Sequence, residues 1–289
     1  MTTPVEDHPP RESGFPGTPD AVHILSRHGI RAVKSLGQNF LRDGDVVAGI
    51  VAAIPAAPER VLEIGPGPGT LTLPLARRGQ SVRAVELDHR LVEVLRLEAA
   101  GLPVEVVEGD ALAVDLDRLV EPPFGVCGNI PYYITGALLP RLLTLRHRPE
   151  WVCVMVQEEV AERLCAPPGG WSLATLGVRA YAGAEVVVRV PAVAFEPAPK
   201  VDSAVIMLRP QPVPEFVTPG FFDFARAVFQ ERRKQLPNGV ANALGHDVGR
   251  GREVVARSGL DAMRRPQTLD LDEWGRLYAA FGAAGVGTA

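Results

Sequence analysis

The chain has 289 residues, 46% of them hydrophobic, with a formal net charge of -4 and a pI near 5.9. That is enough apolar material for one large core or a large and a small one, and the mild acidity gives no whole-chain sign of a nucleic-acid binder, whose footprint is usually basic. Three cysteines without a CxxC pair, the absence of a run of about 18 apolar residues, and a start without an apolar signal core argue against a disulfide framework, a zinc site, a membrane span and export.

A soluble, cytoplasmic protein is therefore expected, with monomer as the default. Cys127, Cys153 and Cys165 sit in or beside apolar runs and read as core residues. Residues 1–22 hold Pro4, Pro9, Pro10, Pro16 and Pro19 among charges and read as a disordered leader.

From about residue 44 to 210, β-rich runs alternate with segments of helical period, the pattern of an α/β fold with a mostly parallel, doubly wound sheet. The predicted strands are Arg60–Ile64, Val82–Glu86, Val104–Val107, Phe124–Cys127, Trp151–Val156, Glu185–Val190 and Ser203–Leu208. Predicted helices between them cover Asp45–Ile54, Leu71–Arg78, His89–Leu97, Ala137–Leu143 and Glu158–Leu164.

After Arg209 comes Pro-Gln-Pro-Val-Pro, which cannot continue a central strand and marks a boundary. Helical spacing then recurs over Phe221–Phe229, Val240–Leu244, Arg252–Ser258 and Leu271–Phe281. The expected organisation is a catalytic domain over 23–210 and a small all-helical domain over 211–289.

The first chemistry-bearing segment is Val61-Leu-Glu-Ile-Gly-Pro-Gly-Pro-Gly-Thr70, a strand running into a glycine-rich turn. Gly65, Gly67 and Gly69 permit a tight turn and close approach of a ligand. The spacing is GxGxG, and Thr70 occupies the third-glycine position of a dinucleotide fingerprint, which disfavours NAD. With Glu63 upstream, the arrangement resembles motif I of class I methyltransferases, whose loop holds the amino-acid end of S-adenosyl-L-methionine.

About twenty residues on, the next strand ends at Glu86, where an acid can accept from both ribose hydroxyls. The strand after that ends in Glu108-Gly-Asp110-Ala111, placing another carboxylate at the sheet's ligand-binding edge. Taken alone, Asp88 reads as a helix N-cap.

Gly128-Asn129-Ile130-Pro131-Tyr132-Tyr133 follows the fourth strand and is the most informative stretch. An adenine 6-amino group is a poor nucleophile because its lone pair is delocalised into the ring. The Asn129 side-chain oxygen and the Ile130 carbonyl supply two acceptors for its two protons, Pro131 stiffens the turn, and Tyr132 offers a face for the base. The chemistry calls for no metal and no acid-base residue, since the sulfonium methyl is already activated.

Together these segments resemble the KsgA/RsmA family of bacterial 16S rRNA adenine dimethyltransferases over nearly the whole chain after the leader. Lys34–Leu41 resembles the family's N-terminal cofactor motif, which implies contacts from Gln38, Asn39 and Leu41. The resemblance also implies that Asp110 meets the cofactor's adenine amine, with Leu87 and Ala111 beside it. Phe195–Ser203 resembles a later motif, implying that Phe195 covers the other face of the extruded adenine and that Lys200 lies near RNA; a core role for Phe195 is the alternative.

Phe229–Leu236 resembles the basic helix that opens the C-terminal domain, implying phosphate contacts from Arg232, Arg233 and Lys234. Further positive clusters, Arg27/Arg31/Lys34 and Arg141/Arg146/Arg148, read equally well as solvated surface. Two departures from the family are the long leader and Pro237, expected to break that helix early. The implied activity is dimethylation of two adjacent adenines near the 3' end of 16S rRNA in the small ribosomal subunit or its precursor. DNA adenine methylases, 23S rRNA resistance methylases and a non-catalytic ribosome-assembly factor are the alternatives.

Overall fold

The computed structural model describes residues 20–285. The expected leader lies outside these residues except for its last three. Of those, Asp20 caps the first helix by accepting from the amides of Val22 and His23.

In chain order the strands are β1 (Phe40–Leu41), β2 (Arg60–Ile64), β3 (Ser81–Glu86), β4 (Val104–Glu108), β5 (Gly125–Asn129), β6 (Val152–Gln157), β7 (Ala182–Val190), β8 (Phe195–Glu196) and β9 (Ser203–Pro210). Seven of them form one sheet of order β4-β3-β2-β5-β6-β9-β7. Pairing is parallel from β4 to β6, and β9 runs antiparallel to both β6 and β7. Central β6 is buried along Val152–Val156, as a strand covered on both faces requires.

The helices are α1 (Ala21–Arg27), α2 (Gly44–Ala53), α3 (Thr72–Arg77), α4 (His89–Glu98), α5 (Thr135–Leu143), α6 (Glu158–Cys165), α7 (Leu173–Arg179), α8 (Pro219–Gln230), α9 (Leu236–Leu244), α10 (Val248–Arg257) and α11 (Leu271–Gly285). One face of the sheet packs on Val47 and Ile50 of α2, Leu73 and Leu75 of α3 and Leu95 of α4. The other packs on Leu138 and Leu142 of α5, Leu164 of α6 and Val178 of α7. This is the doubly wound arrangement that the alternating pattern predicts.

The chain winds from β2 to β3 and β4 on one side, then returns to place β5 on the other side of β2. The order therefore reverses between β2 and β5, and open α/β sheets bind ligands at the C-terminal ends of strands flanking such a point.

Helices α8 to α11 share a separate aromatic core of Phe221, Phe224, Phe229 and Trp274, with the Phe229 and Trp274 rings stacked at 5.2 Å. Trp171 and Leu176, from before and within α7, belong to the same core. It thus draws on residues on both sides of the proline-rich boundary. Pro237 corrects an expectation: it lies in the first turn of α9, where a missing N–H costs nothing, and starts a helix instead of breaking one. Arg232, Arg233 and Lys234 consequently occupy the turn between α8 and α9, not a helix.

Candidate active site

The C-terminal ends of β2, β3, β4 and β5 open into one cleft, closed on the far side by residues 36–41 and by the turn 129–134. The empty space within it, open solvent included, is about 1080 Å³. Gln38, Asn39, Leu41, Gly65, Gly67, Glu86, Leu87, Asp110, Ala111, Asn129, Ile130, Pro131 and Tyr132 all line it.

Gly69 does not. Its φ is 97°, and a Cβ there would stand 2.7 Å from Leu95 Cδ1 and 3.1 Å from Leu73 Cγ. Glycine at this position lets the loop pack on α3 and α4, so the expected ligand contact is corrected to a packing role. A second bare position, Gly128, brings β5 against β2: a Cβ would stand 2.3 Å from the Ile64 carbonyl oxygen.

The Glu86 carboxylate is held by three backbone amides, Leu87 and Asp88 at 2.9 Å on Oε1 and Gly67 at 3.1 Å on Oε2. The Gly67 bond ties the β2 loop to the end of β3. Burial raises the Glu86 pKa while these amides oppose the rise. Asp110, exposed at the end of β4, accepts from the Leu112 amide at 2.8 Å. Asp88 is the N-cap of α4, accepting from the Arg90 amide, and the Arg90 guanidinium holds its carboxyl below the usual range.

Gln38 spends both ends of its amide inside the protein. It accepts from the Val33 amide at 2.8 Å and donates to Asp88 Oδ2 at 2.8 Å. Its side chain positions the 36–41 segment over the cleft. Asn39 donates through Nδ2 to the Gly37 carbonyl at 3.1 Å, and its own carbonyl accepts from Asn129 Nδ2 at 3.1 Å. That last bond occupies the amine end of Asn129 and leaves Oδ1 as an acceptor.

Tyr132 is half-buried and bonded through its hydroxyl to Ser203 Oγ at 2.6 Å, so the ring is fixed at both ends. Phe195 is only 2% exposed and packs in the core beneath β8, whose pairing with β1 sets Phe195 opposite Leu41. The expected Tyr132–Phe195 sandwich is therefore absent, because the ring is needed to close the apolar layer under the ribbon. The residues that sequence reasoning missed are Ser203 and Phe40, whose places in the Phe195–Ser203 and Lys34–Leu41 segments were the only signals, and Met155, which lines the cleft from the apolar run of β6 without a distinguishing pattern.

Glu63, noted only as part of the glycine motif, is 1% exposed in the floor of the cleft. Its Oε2 has no hydrogen-bond partner. Burial, with the Glu86 carboxylate adding to it, raises its pKa to about 7. The Thr72 side chain opposes that rise, and Glu63 with the amide-held Glu86 puts two buried carboxyls in the cleft.

Of the cationic residues expected at RNA, Lys200, Arg232 and Arg233 are exposed and form no ion pair among the described residues. Lys234 is exposed and pairs with Glu231 at 2.9 Å. Arg31 and Lys34, exposed and without an ion pair among the described residues, precede the cleft-lining segment. Two members of the mid-chain cluster are structural instead: Arg141 bonds the Ala111 carbonyl at 2.7 Å, and Arg148 the Gln211 carbonyl at 2.8 Å.

A doubly wound sheet with a glycine loop, an acid held by backbone amides at the end of β3 and an Asn-Ile-Pro-Tyr turn around one cleft defines a class I methyltransferase. The model of the family described as ribosomal RNA adenine dimethylase matches residues 29–274, and the chain belongs to that family. It is 44% identical to the ribosomal RNA small subunit methyltransferase A of Desulfitobacterium hafniense, over 86% of this chain and 92% of that protein. The protein of the same name from Pelotomaculum thermopropionicum is 43% identical, over 91% and 95% of the two chains. Among solved structures, a dimethyladenosine transferase from Plasmodium falciparum matches with a TM-score of 0.71 at 26% identity, covering 85% of this chain and 98% of that one. The 23S rRNA methyltransferase ErmE matches with a TM-score of 0.64 at 29% identity, covering 84% and 100%.

Proposed function

We propose that the protein transfers methyl groups from S-adenosyl-L-methionine to the 6-amino groups of two adjacent adenines near the 3' end of 16S rRNA, in the small ribosomal subunit or its precursor. The observation that carries this reading is the Asn129 side chain, whose amine end is held by the Asn39 carbonyl and whose oxygen is thereby presented at the cleft. The small-subunit assignment is favoured over the large by the 44% and 43% identical relatives, both named for the small subunit.

In this reading Glu86 accepts from the cofactor's ribose hydroxyls, Asp110 from its adenine amine, and the Gly65–Gly67 loop with Asn39 and Leu41 holds its amino-acid end. Bound there, the cofactor supplies an activated methyl group on a sulfonium. The rest is alignment by this chain. Asn129 Oδ1 and the Ile130 carbonyl take the two amine N–H bonds of the target and orient its lone pair, and Pro131 fixes the turn between them. Tyr132, locked through Ser203, gives the extruded base a surface worth roughly 1–3 kcal/mol, against an extrusion cost of a few kcal/mol. The 211–289 region, with Arg232, Arg233 and Lys234, meets RNA phosphates together with Lys200; the protein works as a cytoplasmic monomer.

Labelled cofactor incubated with unmethylated small subunits should mark two adjacent adenines of 16S rRNA when modified bases are mapped. Asn129→Ala should bind cofactor within about twofold of wild type and transfer methyl about 10²–10³-fold more slowly, because one of two aligned acceptors is gone. Label confined to large-subunit RNA, or wild-type turnover by the variant, would overturn the reading.

A further inference from the structure

Extruding one adenine leaves the bases on either side of it unstacked, and inside the cleft Tyr132 is the ring left to face the extruded base, since Phe40 and Phe195 are both buried. A second ring stands just outside. Tyr133 follows Tyr132 in the same turn (132–134), lines the mouth of the cleft and is 63% exposed, the one exposed aromatic side chain among the described residues. Its ring stacks on no other ring and its hydroxyl has no hydrogen-bond partner among those residues.

The ring is nevertheless held. Its edge lies against the 36–41 segment, where a Cβ on Gly37 would stand 3.4 Å from Tyr133 Cε1, and Gly37 itself is in the left-handed region at φ 65°. A flat ring propped along one edge with its surroundings open is arranged for stacking, not for packing. Exposed cations and apolar groups lie on the chain segments that hold the two tyrosines. Lys34 precedes the Gly37 turn, while Lys200 and the exposed Val193 (80%) and Val201 (44%) lie on the chain leading into Ser203, the residue that holds Tyr132.

We propose that Tyr133 stacks on the RNA base adjoining the extruded adenine, so that consecutive tyrosines of one turn serve consecutive bases. The inference rests on the adenine-methylation reading above. Base–aromatic stacking is worth roughly 1–3 kcal/mol and tolerates any aromatic ring. That makes its signature specific: a loss on removing the ring, recovery with any other ring, and no effect on the cofactor.

The test is steady-state methylation of unmethylated small subunits by the full-length protein and its Tyr133→Ala, Tyr133→Phe and Tyr133→Trp variants, with calorimetry of S-adenosyl-L-methionine binding to each. Tyr133→Ala should raise KM for subunits about tenfold with cofactor affinity unchanged, and both aromatic variants should return KM to within about threefold of wild type. An unchanged KM in Tyr133→Ala, a loss that Phe and Trp fail to rescue, or a matching loss of cofactor affinity overturns the proposal. Failure of the wild-type protein to methylate the subunits would instead sink the function reading on which it stands.

Discussion

Glu63 shows how a single residue in the cleft departs from its ordinary chemistry. Its carboxyl is fully enclosed at the end of β2, one oxygen has no partner, and its pKa is raised to about 7, chiefly by burial. From about pH 4.5 to 7 the unfolded chain has already released this proton while the native chain retains it. Native stability contributed by the protonated acid is thus complete at low pH and lost as pH climbs through the native pKa. The shift corresponds to about 3 kcal/mol over that window. Glu63→Gln, which stays neutral, should be close to wild type in denaturant stability at pH 5 and more stable by about 2–3 kcal/mol at pH 8. A stability difference that stays constant between the two pH values would show that Glu63 is ionised throughout.

The sequence made Glu63 visible as a motif letter but not as a buried acid, because burial is a property of the surroundings. Glu86, Asp110 and Asn129 could be placed at the cleft for a different reason: each ends or closely follows a strand, and strand ends in this topology share one edge. Gln38 could not be resolved in the same way. A polar residue in a cofactor motif reads the same whether it faces ligand or, as here, spends its amide on Val33 and Asp88.

At the scale of elements, all seven strands of the main sheet could be read from β-branched apolar runs, with boundaries shifted by at most three residues at an end. The two-residue β1 and β8 could not, since so short a ribbon has no periodicity, and its register depends on a partner about 155 residues away. That ribbon is what buries Phe195. Helix α7 was missed too: its seven residues carry only Thr175, Leu176 and Val178 as buried positions, too few for a helical stripe.

The turn between β2 and α3 is where element geometry and the glycine pattern part. Gly65 and Gly67 border the cleft, whereas Gly69 is required by Leu95 and Leu73. Gly69→Ala combines an unfavourable φ of 97° with a 2.7 Å approach to Leu95 Cδ1, and should destabilise the protein by about 2–4 kcal/mol. Thermal melts of the cofactor-free protein test this. A melting temperature equal to wild type would mean that the loop relaxes freely and that Gly69 is not a packing residue.

For the molecule as a whole, a net charge of -4 has to be reconciled with an RNA substrate, and the distribution of ion pairs does so. Many of its arginines are neutralised internally: Arg27 by Glu98, Arg83 by Glu105, Arg189 by Glu158, Arg226 by Asp223 and Arg264 by Glu273. Lys34, Lys200, Arg232 and Arg233 form no ion pair among the described residues, and these remain available to phosphates. Composition averages over both groups and hides the second. Each phosphate contact releases counterions, so affinity for duplex RNA should fall with salt at a slope set by the number of free cations engaged. Replacing Arg232, Arg233 and Lys234 together by Gln should weaken small-subunit binding and reduce the slope of log affinity against log salt by about 2 to 3. Lys234 contributes least to that change because it must first leave Glu231. Cofactor affinity should not move, since none of the three lines the cleft. A salt slope identical to wild type would place the phosphate contacts elsewhere, with Lys34 and Lys200, both exposed and without an ion pair among the described residues, the next pair to neutralise.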